Sequence, residues 1–88
     1  MKMKYVCIAI HNNKSERISE SHYKNIVIHK CLEYIYKIIT EKCDENIDEY
    51  MVDLLNWKDL KESIWNELDD NEYYYDKKQY HFIIQYIG

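Results

Sequence analysis

The sequence predicts an α+β fold, a single small domain of order β-α-α-α-β-β in which a three-stranded sheet carries its helices on one face. Three observations lead there. A short apolar run at residues 5–10 has the length of a strand, the middle of the chain repeats its apolar residues at helical spacing, and residues 72–87 are dense in Tyr, Phe and Ile. Eighty-eight residues can build one hydrophobic core, so residues 1–88 are read as one domain.

The first strand, residues 3–10, places Val6, Ile8 and Ile10 on one side and Tyr5, Cys7 and Ala9 on the other. Apolar residues on both sides mark a buried strand. The polar residues 11–20 predict a connection, with Ser19 or Ser21 placed to cap a following helix. Over residues 22–42, Tyr23, Val27, Cys31, Tyr34, Ile35 and Ile38 share a helical face that Ile28, Leu32 and Ile39 widen. Such an arc is broader than a surface helix needs. It predicts either a central helix or a homodimer formed through helix 22–42.

A break at residues 43–46 precedes a second helix, residues 47–55, with Ile47, Tyr50, Met51, Leu54 and Leu55 on its apolar face. Continued without interruption, that helix would turn the next apolar set by roughly 80° at 3.6 residues per turn. A second break is therefore expected at Asn56. Asn56 followed by Asp59 resembles a capping box opening a third helix, whose apolar face is Trp57, Leu60, Ile64, Trp65 and Leu68. The final segment reads as a hairpin turning at residues 76–79, with Tyr80, Phe82, Ile84 and Tyr86 on one face of its second strand and His81, Ile83, Gln85 and Ile87 on the other.

Composition excludes several functions. The one Gly, at position 88, leaves no material for a Gly-rich phosphate loop. Three cysteines in irregular spacing do not suit a disulfide-stapled secreted domain, and a six-residue apolar run is short for a signal peptide core or a membrane span. The expected location is a reducing cytoplasm with no membrane association. Eleven Lys against one Arg, with 13 Ile, 10 Tyr and 7 Asn, fit an AT-rich coding sequence, so a low-GC bacterium, a phage or a large DNA virus is the expected source, and for the last two the compartment is the host cytoplasm.

No metal, cofactor or catalytic constellation emerges. His22 and His29 are two turns apart, roughly 10 Å at 1.5 Å per residue, which is too far for joint ligation. His29 and Glu33 have the spacing of a surface helix pair. Asp48/Glu49 and Asp69/Asp70 are sequence neighbours, which point about 100° apart on a helix and so do not form an acid–base couple. The expectation is that the chain is not an enzyme.

The charges carry the strongest signal. Residues 1–42 hold eight basic and four acidic side chains, residues 43–76 two basic and twelve acidic, and residues 77–88 two basic, giving +4, −10 and +2. Such a block repels phosphates and attracts the Lys- and Arg-lined surfaces that bind them. Direct nucleic-acid binding is accordingly not expected. The expected function is a small acidic inhibitor or neutraliser that occludes a basic nucleic-acid-binding surface of a partner, such as a nuclease or nucleic-acid-handling complex. By class analogy, counter-defence proteins, immunity proteins and antitoxins act in this way. Its partner-binding residues would be Asp44, Glu45, Asp48, Glu49, Asp53, Asp59, Glu62, Asp69, Asp70, Glu72 and Asp76, with Tyr73, Tyr74 and Tyr75 as anchors. The alternative is a homo-oligomeric structural or regulatory domain.

Overall fold

A computed structural model describes residues 3–11, 13–45, 47–75 and 80–87, except for the side chains of residue 11 and residues 47–49. The elements run β1 (Lys4–His11), β2 (Lys14–Ser21), α1 (Lys24–Glu45), α2 (Ile47–Leu55), α3 (Trp57–Asn71), β3 (Tyr73–Tyr75) and β4 (His81–Ile87). The strands form one antiparallel sheet in the order β2-β1-β4-β3. The α+β class therefore stands, but the sheet has four strands rather than three and the order is β-β-α-α-α-β-β.

The additional strand is β2, formed by residues expected to be a connection. It lies at the sheet edge with one neighbour, and Ile18 is its one apolar residue, so no hydrophobic alternation announces it. Its charged side chains suit an edge, because they discourage pairing with a further strand. His11 pairs with Lys14, and Asn13 between them takes φ 63°, a left-handed conformation that asparagine tolerates. A bulge where Cys7 and Ile8 meet β2 lets both Ile18 and Ser19 reach toward the helices. There the Ser19 hydroxyl donates to the Val27 carbonyl at 3.2 Å, and Ser21 Oγ accepts the Tyr23 N–H at 3.1 Å. These two serines tie the end of β2 to the start of α1.

Helix α1 extends past the expected end at residue 42, because Cys43 still reaches the core. Its buried side chains, Val27, Ile28, Cys31, Leu32, Ile35, Ile39 and Cys43, meet three neighbours. The sheet contributes Cys7, Ala9, Phe82 and Ile84; α3 contributes Ile64 and Leu68; and α2 contributes the half-buried Tyr50 and Leu54. Most of the wide apolar arc is thus covered within the chain, with Tyr23 left exposed at its start, and α1 is the central element. Each fully buried isoleucine in this set stabilises the fold by about 1.5–3 kcal/mol relative to an exposed one. Cys7 and Cys31 meet inside the core as free thiols, and a hydrogen bond between them, reinforced by burial, holds Cys31 protonated well above the usual thiol range.

Asn56 interrupts the helices where the phase argument places it. The ladder passes through this residue, with its N–H on the Val52 carbonyl and Leu60 N–H on its own carbonyl, both at 3.0 Å. The capping box does not form, because the Asn56 side chain turns back and donates to the Val52 carbonyl at 3.1 Å. At the other end of α3, Glu72 takes φ 59° and its N–H caps the Leu68 carbonyl. Helices α1 and α3 are antiparallel, since Lys24 meets Asp69 near one end and Tyr36 meets Trp57 near the other.

The helices cover one face of the sheet. Register puts Val6, Ile8 and Ile10 of β1, Ile83 and Ile87 of β4, and Tyr73 and Tyr75 of β3 on the other face, where Val6 is buried, the isoleucines are half-buried and the two tyrosines are exposed.

Candidate functional site

Of the carboxylates singled out by charge, the most coherent group stands on α3. At 100° per residue, Asp59, Glu62, Asp69 and Asp70 fall within an arc of roughly 100° opposite the Ile64 and Leu68 side, and no basic residue of α3 shares that arc. All four are exposed. Asp59, Glu62 and Asp70 make no ion pair among the described residues. Asp69 does: Lys24 Nζ donates to its backbone carbonyl at 2.6 Å and sits 3.9 Å from its carboxylate and 3.7 Å from that of Glu72. One lysine therefore caps the C-terminus of α3 and shares its single positive charge between two carboxylates of the acidic block.

The other acidic positions are dispersed. Asp44 and Glu45 are exposed at the C-terminus of α1, where Glu45 lies 3.6 Å from Lys42. Asp53 is half-buried on α2. Asp48 and Glu49 belong to α2, but their side chains lie outside the described residues, as does Asp76 altogether.

The three tyrosines divide by strand alternation. Tyr74 packs against the core on the helix side, whereas Tyr73 and Tyr75 are 45% and 60% exposed on the uncovered sheet face. Both present T-shaped contacts to His81, with ring centroids at 5.1 and 5.5 Å. The solvent arc of α3 points away from the sheet and Tyr73 and Tyr75 point away from the helices, so the structure puts these two groups on opposite surfaces.

A different set of aromatics adjoins the α3 carboxylates. Between α1 and α3 runs an apolar cleft of about 450 Å³ lined by His29, Leu32, Glu33, Tyr36, Trp57, Lys61, Glu62 and Trp65. Tyr36 stacks on Trp57 at 5.2 Å and 28°, closing one end. On the α1 side, His29 Nε2 lies 3.1 Å from Glu33, an exposed i,i+4 pair. Glu62 belongs both to the lining of this cleft and to the acidic arc.

Both tryptophans pack against the core from the apolar face of α3, as expected, but the cleft they line with α1 was not anticipated. Two signals were available. Trp57, Lys61 and Trp65 recur every four residues, and Trp65 stands roughly 80° from the mean direction of Ile64 and Leu68 at 100° per residue, too far round to be fully buried.

The basic side of the domain is also organised. On β1 and β2, Glu20 is held between Lys4 at 3.0 Å and Arg17 at 3.2 Å, and its carboxyl lies below the usual glutamate range, chiefly through its hydrogen bond and attraction to Lys4. Tyr34 is held above the ordinary tyrosine range by burial first and then by Glu16, whose carboxylate accepts its hydroxyl at 3.4 Å. Among the described residues there is no group of three or more His, Cys, Asp or Glu able to hold a metal ion, and no helix long and apolar enough to cross a membrane.

Fold and site together define a two-layer α+β domain with an aromatic cleft bordered by an acidic helix. Comparison with protein-family models, curated proteins and solved structures returned no match to this chain.

The Lys24 contacts make a stability prediction. Lys24→Met removes the donor from the end of α3 and is expected to cost about 1 kcal/mol in urea denaturation. Asp69→Asn keeps the bond to the carbonyl and is expected to cost less than about 0.5 kcal/mol. Equal losses would show that the ion pair, rather than the cap, carries the contact.

Proposed function

We propose that this chain is a small acidic protein-binding module that neutralises a basic partner by occupying the surface with which that partner holds nucleic acid. The observation that carries the reading is the solvent arc of α3. Its carboxylates are spaced along a rigid helix, and Asp59, Glu62 and Asp70 are left without an ion pair among the described residues. A run of fixed negative charge on one side of a small domain speeds encounter with a Lys- and Arg-lined groove and competes there with phosphates. The partner is then a nuclease or another nucleic-acid-handling complex in the same cytoplasm, and the mechanism is occlusion without turnover.

The test is affinity capture from the natural or infected host, comparing the wild-type chain with Asp59→Lys/Asp70→Lys. That variant spares Glu62, which borders the cleft, and Asp69, which Lys24 holds. The wild type is expected to retain a nucleic-acid-binding protein that elutes with salt and is displaced by duplex DNA, and the variant to associate with it about tenfold more slowly. Equal retention by both chains, or indifference to DNA, contradicts the reading.

One observation favours a second reading, a homo-oligomeric structural or regulatory domain. The uncovered sheet face presents Ile8, Ile10, Ile83 and Ile87 beside the exposed Tyr73 and Tyr75, an apolar patch of the kind that packs against another sheet. Under that reading, sedimentation at low micromolar concentration gives a dimer that Ile83→Lys dissociates. A monomer at that concentration removes its motive.

A further inference from the structure

We infer that the cleft between α1 and α3 seats an arginine side chain carried by the basic partner, an inference that rests on the protein-binding reading above. Three aromatic residues line the cleft, and two of them, Tyr36 and Trp57, are stacked on each other, which leaves their outer faces and Trp65 for an incoming group. Trp57 and Trp65 come from one helix and Tyr36 from the other, with Leu32 buried between the helices. A guanidinium is attracted to such faces within about 6 Å of a ring centroid, and tryptophan is the strongest of the aromatic partners.

The rim carries the complementary charge. Glu33 on α1 and Glu62 on α3 share the lining with Lys61 and His29, and Glu62 is the carboxylate of the two that is left to meet an incoming cation. Glu33 also meets His29 at 3.1 Å and Lys30 at 3.8 Å, whereas Glu62 makes no ion pair among the described residues. Arginine matches this arrangement better than lysine, because its planar head stacks on an indole while its fork of donors reaches a carboxylate, and its apolar stem lies against the wall. A volume of about 450 Å³ accommodates that side chain together with the adjoining backbone.

Glu62 makes the cleft continuous with the acidic arc. A partner drawn to Asp59 and Asp70 by long-range attraction thus meets, on the same helix, a desolvating pocket for one of its cations. Buried aromatic and arginine contacts dominate interface energies, while exposed charges mainly govern the rate of encounter. Arc and cleft divide those two tasks between them.

Both tryptophans of the chain line the cleft, so the indole emission of the full-length protein reports occupancy without a label. The probe is the peptide acetyl-Gly-Ser-Arg-Ser-Gly-amide, titrated at low salt beside counterparts carrying citrulline, lysine or norleucine in place of arginine. The arginine peptide is expected to give a saturable change, with a dissociation constant at least about fivefold below those of the citrulline and norleucine peptides. Tyr36→Leu, which keeps apolar bulk at a site already 39% exposed, is expected to reduce that preference, as is Glu62→Gln.

No saturable response to the arginine peptide overturns the inference. So does an equal response to norleucine, which marks a plain apolar groove, or a change of emission with protein concentration alone, which marks a second copy as the occupant. An arginine-indifferent cleft combined with capture that is still lost in Asp59→Lys/Asp70→Lys rejects the occupant and leaves the acidic interface standing. Selective arginine binding with capture unchanged supports the occupant and rejects that interface.

Discussion

Helix α1 carries apolar side chains around more than half its circumference, and the other elements are arranged by the need to keep them from water. One side of the arc lies on Cys7, Ala9, Phe82 and Ile84 of the sheet, and the rest meets Ile64 and Leu68 of α3 with Tyr50 and Leu54 of α2. A two-layer domain of this size has few ways to cover so broad a surface. The chain does it by folding α2 and α3 back along α1, with the single-residue interruption at Asn56 bringing two apolar faces of different phase into the same contact.

The acidic arc and the cleft follow from that packing. With Ile64 and Leu68 committed to α1, helical geometry turns Asp59, Glu62, Asp69 and Asp70 outward and leaves Trp57 and Trp65 at the seam, half-covered. The cleft is thus the place where two helices diverge around bulky rings. Lys24 closes the far end of the same seam by holding the last turn of α3, so the contact that orients the acidic helix also lowers its charge.

Much of this was legible in the residues. β1 declared itself by an apolar run, the break at Asn56 by a change of phase, and β4 by alternation between Tyr80–Phe82–Ile84 and its opposite face, whereas the break expected over residues 43–46 is set later because α1 runs on to Glu45. β2 did not, because an edge strand with one covered face needs little hydrophobic pattern, and only the asparagines before Lys14 hinted at a turn. The carboxylates on α3 were readable from spacing alone. Their partial compensation by Lys24 was not, since that residue lies 45 positions from Asp69 and meets it only through the fold. The placement of the aromatic residues was not legible for a related reason. The tyrosine run drew attention by composition, yet strand alternation sends Tyr73 and Tyr75 to the face away from the helices, while the tryptophans that border the acidic arc resemble core residues in sequence.

Everything assigned to the helix layer requires α3 to lie antiparallel along α1 with its tryptophans at the seam. Nuclear Overhauser contacts in the full-length protein test this most directly. Cross-peaks are expected between the Tyr36 ring and the Trp57 indole, together with contacts between Lys24 and the last turn of α3. Tyr36 and Trp57 resonances that show no mutual contact, or a Trp57 indole in contact with sheet residues instead, would contradict the packing and with it the cleft and the acidic face.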